Sequence, residues 1–336
     1  MDHVASRYLP VLFALFMWAL SFPAIKFALD EVDPLTLAAV RFILPLPIIY
    51  IYYLVESRWE KKMRGENGDS RQQDQKNDLT NPEILLPKMD NDPISSWIGF
   101  DIFRSPGFIM WIFALFNVVL PNIFQNYGMQ STPSGIASII QGTGPIFTIV
   151  LASAFLKERL TGVQIIGILL ALIGSLLLVS GGELSNDGSL AGKALILLSA
   201  ISYSISGLIG KVILKNVTAG ELTFRSFLMG GFMLGICALV IEQPIDLLEL
   251  EGIYWGTLVS VALFPTCFAF LFWFRALKII PLSRLVTSIF LIPVLAVIFS
   301  WIILGEEITY FTLATGIMVI GGVLVAQLAG QDHVID

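Results

Sequence analysis

An internal repeat of membrane-length segments is the feature that most constrains this fold. Residues 144–178 and 292–326 follow one pattern: an apolar helix with a proline, a short polar turn with one glutamate, then a second apolar helix. At a constant offset of 148 residues, five pairs of positions are identical: Pro145/Pro293, Leu156/Leu304, Glu158/Glu306, Thr161/Thr309 and Gly174/Gly322. The repeat indicates that the chain is a duplicated membrane unit.

The first part of the chain is duplicated as well. At an offset of 185 residues, or one less for the last pair, three further pairs of positions match: Trp18/Tyr203, Lys26/Lys211 and Arg41/Arg225. The two offsets differ by 37 residues, and the loop 56–105 accounts for the excess. This loop mixes charges of both signs and has few aromatic residues, so we expect a mobile cytoplasmic loop, either a solvated spacer or a docking segment.

The composition is typical of an integral membrane protein, with 56% hydrophobic and 14% charged residues. A helix needs about 20 apolar residues to cross the bilayer. Ten candidate spans lie at roughly 7–29, 34–55, 106–127, 132–155, 161–180, 189–212, 219–241, 252–276, 281–304 and 309–328. We predict an all-α membrane protein with ten transmembrane helices in two five-helix repeats, residues 7–180 and 189–328. Five is odd, so the second repeat is inverted relative to the first.

The basic residues predict the orientation. One set of loops, together with the N-terminus, holds 16 of the 20 lysines and arginines, and the opposite set holds none. Basic residues are enriched on the cytoplasmic side of membranes, so both termini are predicted to be cytoplasmic, in a multi-pass protein of the cell membrane. The net charge of −6 gives no indication of a nucleic-acid partner.

Span 3 carries the most polar side chains inside the membrane: Asn117, Asn122, Gln125 and Asn126. The last three are spaced three and four residues apart, so they share one face of a helix. Amides are costly in lipid unless they find partners or face a cavity. Two interpretations follow: hydrogen bonding between helices, or the lining of a substrate path.

Span 8 is the repeat equivalent of span 3 and carries aromatic residues in place of the amides. Pro265 aligns with Asn117, and the aromatic residues are Phe264, Phe268, Phe272 and Trp273. Such residues either pack against other helices or line a cavity. Because prolines kink both spans and one span is rich in amides and the other in aromatic residues, we predict that spans 3 and 8 line a central cavity. Our substrate-cavity candidates are Trp18, Asn117, Asn122, Gln125, Tyr203, Phe272, Trp273 and Arg284.

Prolines and small residues mark bends and close contacts. Four prolines are predicted to form fixed kinks or mobile hinges: Pro121, Pro145, Pro265 and Pro293. Spans 5 and 10 carry glycines and alanines at spacings that allow close packing. These two spans are predicted to be peripheral packing helices or the face of a homodimer.

Carboxylates occur at the membrane edges and not deep in any span. Glu158 and Glu306 precede spans 5 and 10, where helix capping is the first interpretation and proton coupling the second. The absence of an intramembrane carboxylate or histidine relay disfavours proton antiport. The cysteines, Cys237 and Cys267, lack a second thiol or histidine at ligand spacing, so no metal site and no cofactor are expected.

Basic residues at span ends form a matched set. Lys26 and Arg41 fall near the outer ends of spans 1 and 2, close to acidic residues 30–33. Lys211 and Arg225 fall near the inner ends of spans 6 and 7. They are either gates that form ion pairs on alternate sides, or side chains that snorkel to the interface or pair statically. Arg284, in span 9, has no basic counterpart in the repeat and is a candidate for meeting an anionic group.

These residues carry a family resemblance. The segments WALSFPAIKFAL, AAVRF, GIASIIQGTGPIFTIVLASAFLKERLT and GIMVIGG resemble the EamA domains of the drug/metabolite transporter superfamily, in two tandem copies. The resemblance implies helices 1–4 and 6–9 around a central cavity, with helices 5 and 10 outside it. It also implies export of amino acids and other small metabolites, or exchange of organic anions as in the related triose-phosphate and nucleotide-sugar translocators. The anion exchangers use basic cavity residues, for which Arg284 is the plausible counterpart.

The predicted function is secondary transport of a small metabolite by alternating access, and the preferred prediction is export of amino acids or related compounds. Exchange of a phosphorylated organic anion and a non-transporting interaction protein are the alternatives. A membrane enzyme is disfavoured because the spans offer no nucleophile–base set, metal cluster or phosphate loop. The expected partners are a small-molecule substrate and the lipid bilayer.

Overall fold

The computed structural model describes residues 2–66, 106–156, 161–180, 188–242, 250–280, 285 and 288–331, and these ranges contain helices and no strand. The central part of the predicted loop, residues 67–105, lies outside the described residues, as do Glu158 and Arg284. The beginning of that loop differs from the prediction, because the second helix continues to Glu66.

We number the helices by the span to which each belongs. They are α1 (Asp2–Ala28), α2a (Pro34–Ile43), α2b (Leu46–Glu66), α3a (Pro106–Ala114), α3b (Leu120–Gln130), α4a (Ser134–Gln141), α4b (Gly144–Leu156), α5 (Gly162–Ser180), α6 (Leu190–Ile213), α7 (Ala219–Ile241), α8a (Gly252–Val261), α8b (Ala269–Ile279), α9 (Leu291–Leu304) and α10 (Tyr310–Gln331).

Seven helices in the described part of the chain are long and apolar enough to cross a membrane. These are α1, the joined helices 2, 3, 4 and 8, α6 and α7. Three shorter apolar helices, Gly162–Leu178, Leu291–Leu304 and Tyr310–Ala326, correspond to spans 5, 9 and 10. The described part of this membrane protein is therefore all-helical.

Wide π turns interrupt helices 3 and 8 at equivalent places. Residues Leu115–Val119 join α3a to α3b, and residues Ala262–Phe268 join α8a to α8b. Pro121 lies at the start of α3b and Pro265 inside the second π turn, where a proline removes a backbone donor. An offset of 148 residues superimposes the two turns, so the repeat includes this irregularity.

Helices 4 and 9 are interrupted near the other predicted prolines. A turn at residues 142–143 separates α4a from α4b just before Pro145. The 3₁₀ turn Ser288–Phe290 precedes α9, which contains Pro293. The structure thus has a helix break close to all four prolines, whereas their action as hinges remains a prediction.

Helices α5 and α10 pack against each other through small residues. A Cβ atom at Gly167 would lie 2.5 Å from the amide nitrogen of Ala326, and one at Gly322 would lie 2.5 Å from that of Ala171. Only glycine allows this approach of the two backbones. The contact joins two helices of one chain, so the glycines supply peripheral packing and give no support to a homodimer through α5 and α10.

The remaining helices form a core in which the two halves alternate. Helix α1 packs on α8b and α9, α6 packs on α3b and α4b, and α2a packs on α7. The first two arrangements are equivalent under the repeat. Each half therefore lies against the other along the whole bundle, so that polar groups of both halves meet at its centre and at its ends.

Candidate functional site

Glu242, which directly follows α7, caps the start of helix α2a. Its Oε1 accepts from the backbone N–H of Leu35 at 2.7 Å, and its Oε2 accepts from the N–H of Thr36 at 2.7 Å. The hydroxyls of Thr36 and Tyr127 donate to the same carboxylate at 3.0 Å each. The first N–H groups of a helix have no partner within the helix, so this carboxylate satisfies them and fastens the second half to the first.

Glu56 makes the reciprocal contact at the other end of the same two helices. It lies in α2b, and its Oε2 accepts from the N–H of Gly220 in the first turn of α7 at 2.7 Å. The ring of Tyr52 packs where a side chain at Gly220 would lie, with Cδ1 at 2.9 Å from an added Cβ atom. Helices 2 and 7 are antiparallel and are therefore capped crosswise, each by a carboxylate that belongs to the other or directly follows it.

Glu306 caps α4a, and not the helix α10 that follows it in the chain. The N–H groups of Ser134 and Gly135 donate to its two carboxylate oxygens at 2.7 and 2.9 Å, and the Ser134 hydroxyl donates at 2.8 Å. The sequence predicted a cap on α10, whereas the carboxylate caps a helix of the other half. Proton coupling by this residue remains a prediction.

Lys26 and Lys211 occupy equivalent sites. The Lys26 ammonium donates to the carbonyl oxygens of Met129 and Gln130 at the end of α3b, at 2.6 and 3.0 Å. The Lys211 ammonium donates to the carbonyls of Leu277 and Ile280 at the end of helix 8, at 2.6 and 3.3 Å. A cation at the C-terminus of a helix is stabilised by the unpaired carbonyls there. Both lysines join helices of their own half and contact no carboxylate within the described ranges.

Arg41 is buried, in contrast to its predicted place beside the acidic residues 30–33. Only 4% of it is exposed. Its Nε donates to Thr266 Oγ1 at 2.6 Å and its Nη1 to Asn122 Oδ1 at 3.3 Å, while its guanidinium carbon lies 5.6 Å from the centre of the Phe42 ring. A charge at this depth costs about 2.5–3.5 kcal/mol. No carboxylate of the described residues lies within ion-pair distance of Arg41.

A polar network surrounds this guanidinium. Asn122 donates to Tyr203 Oη at 3.4 Å, and Ser206 donates to Asn117 Oδ1 at 3.4 Å. Asn117 and Asn122 are five residues apart, which would place them on different faces of an α-helix. The π turn adds one residue between them, and both therefore reach α6.

The other predicted amides of helix 3 also form hydrogen bonds inside the bundle. Asn126 donates to the carbonyl of Pro34 at 2.8 Å, and Gln125 donates weakly to the sulfur of Met129 at 3.8 Å. Asn117, Asn122, Gln125 and Asn126 are all buried. Hydrogen bonding between helices therefore describes Asn117, Asn122 and Asn126, and the lining of a substrate path by this face remains a prediction.

Aromatic residues form a wall beside the network. The Trp18 indole donates to the carbonyl of Pro265 at 2.8 Å, a carbonyl in the π turn of helix 8. The Trp18 ring lies 5.2 Å from Trp273 and 5.4 Å from Phe270, measured between centroids. Phe272 instead contacts Phe13 at 5.7 Å. Five predicted cavity residues thus lie in two neighbouring groups, with Asn117, Asn122 and Tyr203 in the polar network and Trp18 and Trp273 in the aromatic wall.

Arg225 lies in a different environment from Arg41. Half of its side chain is exposed, and its Nη2 forms an ion pair with Glu221 on the same helix at 2.7 Å. This is the static pairing that the sequence left open, in a partly exposed position. The predicted equivalence of the two arginines therefore does not extend to their surroundings.

Three functional candidates were missed in the sequence: Glu56, Glu242 and Thr266. The two glutamates are each the first acidic residue after the second apolar helix of their half, a signal that could have revealed them. Thr266 gave no such signal, because its importance depends on the π turn that directs its hydroxyl to Arg41.

The long apolar helices, the interleaved halves and the buried polar centre define an integral, multi-pass membrane protein. Residues 83–180 and 190–327 match the EamA-like transporter family. The match covers more than half of the chain, which therefore belongs to this family. The chain is a membrane transporter and not an enzyme.

Several relatives are named as transporters. The uncharacterized transporter YyaM of Bacillus subtilis is 29% identical over 60% of this chain and 66% of its own length. An uncharacterized transporter of Archaeoglobus fulgidus is 24% identical over 92% of this chain and 95% of its own. A probable amino-acid metabolite efflux pump of Salmonella typhimurium is 23% identical over 92% and 90%.

A solved crystal structure shares the fold. It aligns with a TM-score of 0.63 over 98% of this chain and 99% of its own, at 15% sequence identity. At that identity the likeness concerns the fold alone.

Proposed function

We propose that this transporter exports amino acids or related small polar compounds by alternating access. The crosswise capping of helices 2 and 7 carries this proposal. Glu242 fastens the halves at one end of these helices and Glu56 at the other, through the same type of bond. Alternating access requires each end to open while the other stays closed, and two separate caps meet this requirement.

The carboxylate caps are better placed to act as gates than the four basic residues. Lys26 and Lys211 hold helices of the same half together, and Arg225 pairs within its own helix. The caps of Glu56, Glu242 and Glu306 instead join one half to the other. Opening one end breaks only the caps at that end, while the lysine contacts move with their half as a rigid unit.

The substrate class is supported by the chemistry of the centre. Hydrogen-bonding groups of Arg41, Asn122 and Tyr203 lie together, and the aromatic pair Trp18 and Trp273 is joined to them through Pro265, the neighbour of Thr266. Such a pair of surfaces suits a molecule with a charged head and an apolar side chain. The Salmonella relative, named as a probable amino-acid metabolite efflux pump, agrees with this class.

The topology belongs to the same proposal. We infer ten spans in two inverted repeats, residues 7–180 and 189–328, with both termini on the cytoplasmic side. The lysines and arginines of one set of loops support the orientation. The equivalent π turns and the equivalent lysine contacts support the repeat.

Counterflow in proteoliposomes tests the proposed function. Vesicles loaded with unlabelled neutral amino acids should accumulate the labelled compound, with or without a pH gradient, and vesicles lacking the protein should not. A parallel panel of phosphorylated metabolites should give no exchange. Exchange confined to the phosphorylated compounds would replace amino-acid export with organic-anion exchange. The absence of transport in folded protein would favour a membrane interaction protein.

A further inference from the structure

We infer that Arg41 binds the carboxylate group of the transported molecule, an assignment that rests on the proposed transport function. The guanidinium of Arg41 is held in the core of the bundle, and its described contacts are with neutral groups. A buried cation normally has an anionic partner. The structure supplies no such partner among the described residues, and the substrate would bring one.

The depth of Arg41 excludes simple snorkelling to the interface. Arg41 lies seven residues from the first residue of α2a, which at 1.5 Å per residue is about 10 Å along the helix. Its Nε and Nη1 are directed toward Thr266 and Asn122, in helices 8 and 3. The side chain therefore extends into the bundle.

Several of the surrounding groups have hydrogens for which the described residues offer no acceptor. Nη2 of Arg41 makes no hydrogen bond to the described residues, and the Tyr203 hydroxyl accepts from Asn122 without donating onward to any of them. The side-chain nitrogen of Asn117, one helical turn further along the network, is buried and also unpaired. The Oδ1 of Asn126, on the same helix, is an unpaired acceptor, but the free donors named here lie beside a positive charge and are therefore complementary to an anion.

A carboxylate fits this charge better than a phosphate. One guanidinium neutralises one negative charge, and its planar donors match the two oxygens of a carboxylate. A phosphate monoester dianion would leave a second charge uncompensated in a site of low dielectric. The aromatic wall begins next to Thr266, at the carbonyl of Pro265 that Trp18 binds, so the apolar part of the same molecule can lie there.

The repeat supplies a matched control. Arg225 is the equivalent of Arg41, but it is half exposed and paired with Glu221. Duplication therefore does not require an arginine to be buried in this way. Replacement of Arg225 should leave carboxylate recognition unchanged.

The test is competition against counterflow of a labelled neutral amino acid, with unlabelled amino acid or its carboxamide as competitor. Wild-type protein should prefer the acid by at least about tenfold, as expected for hydrogen bonds to a charged group. Arg41→Met should lower transport by about tenfold or more. In this variant the acid and the amide should compete equally well with the labelled amino acid. Arg41→Lys should keep part of the preference, because the charge remains without the planar donors. Arg225→Met should stay within about twofold of wild type.

Thermal unfolding separates binding from folding. Arg41→Met should leave Tm nearly unchanged, because the loss of the hydrogen bonds to Thr266 and Asn122 is offset by the removal of a buried charge that has no anionic partner among the described residues. A marked fall in Tm would instead assign Arg41 to the fold and overturn the inference. If Arg41→Met yields no folded protein, the competition assay on Arg41→Lys replaces it as the test. A preference for the acid over the amide as strong as in wild-type protein would then overturn the role of the planar donors.

The outcomes distinguish this inference from the proposed function. Amino-acid counterflow that does not discriminate acid from amide in wild-type protein, or that keeps its discrimination in Arg41→Met, would leave transport standing and remove the role of Arg41. Failure of wild-type protein to transport any amino acid would remove the proposed function itself. Exchange of phosphorylated anions that depends on Arg41 would overturn the assignment to a carboxylate.

Discussion

The ends of the helices and the centre of the bundle differ in how closely they follow the repeat. At the ends, Lys26 and Lys211 bind equivalent carbonyls, and Glu56 and Glu242 cap each other's helices. The residues around the buried network differ from their repeat equivalents in kind or in surroundings, as at Asn117/Pro265, Gln125/Trp273 and Arg41/Arg225. The groups that bind the helix ends are thus duplicated, and the groups around the buried network are not.

This difference corresponds to two separate physical requirements. A carrier that opens alternately to two sides needs comparable contacts at both, because a large imbalance in free energy would trap one state. A small metabolite has no such symmetry, so the groups that bind it need not match. Substitutions at equivalent positions should therefore have similar effects at the ends and unequal effects in the centre.

The largest effect on folding is expected where α5 and α10 join. Gly322→Ala would place a Cβ atom 2.5 Å from the backbone of α5, whereas the adjacent Gly321 has no atom within 4 Å of the added group. Overpacking of this kind should lower the free energy of unfolding by about 3 kcal/mol. Gly321→Ala should be neutral or stabilising. Unfolding in detergent measures both, and equal stability of the two variants would contradict the observed packing.

The lysine contacts at the two ends should be of similar strength. Lys26→Met and Lys211→Met each remove two hydrogen bonds from an ammonium to helix carbonyls. Each should lower the free energy of unfolding by about 2 kcal/mol. Unfolding in detergent measures the loss in both variants, and each variant is the control for the other. A loss confined to one lysine would break the equivalence of the two ends.

The carboxylate caps should control opposite ends. In a background without native cysteines, alkylation of Ala39→Cys reports on the end held by Glu242, and alkylation of Ser226→Cys reports on the end held by Glu56. Both reporter positions are buried. Glu242→Gln should accelerate only the first reaction and Glu56→Gln only the second, by about tenfold each for a loss of about 1.4 kcal/mol.

The reporters also control each other. Simultaneous acceleration at both positions by either substitution would indicate general loosening, and would contradict independent caps at the two ends.

The smallest effect concerns pH at the Glu242 end. Burial, together with the nearby charge of Glu242, raises the pKa of Asp33 above its usual value of 3.8. The folded protein therefore binds this proton more tightly than the unfolded chain, so the contribution of Asp33 to stability increases as pH falls toward 3.8. Relative to Asp33→Asn, wild-type Tm should rise between pH 7 and pH 4, by less than the equivalent of about 1 kcal/mol. A constant difference in Tm would contradict this.

The sequence predicted much of the fold because membrane helices leave strong local signals. Apolar length and the repeat located the helices, and the prolines marked four interruptions. The end of helix 2 was misjudged, since residues 56–66 are polar yet helical. Polarity shows that a segment has left the lipid, but it does not show that the helix has ended.

The site was predictable in part. The amides and aromatics of helices 3 and 8 were identified as a group, and several of them meet with Trp18 and Tyr203. The burial of Arg41 was not foreseen, because a helix that is apolar on most sides gives no indication of which face turns inward. Contacts such as those of Glu242 depend on which helix ends are neighbours, and this is decided by packing across the whole bundle.

The glycine contact between α5 and α10 has a consequence for synthesis in the membrane. Between Ser180, where α5 ends, and Tyr310, where α10 begins, the ribosome must add about 130 residues. At about 5–20 residues per second, this takes on the order of ten seconds. During that interval the glycine face of α5 has only lipid or the insertion machinery as a neighbour. Assembly of this bundle therefore ends by joining helices from its two halves, long after α5 has entered the bilayer.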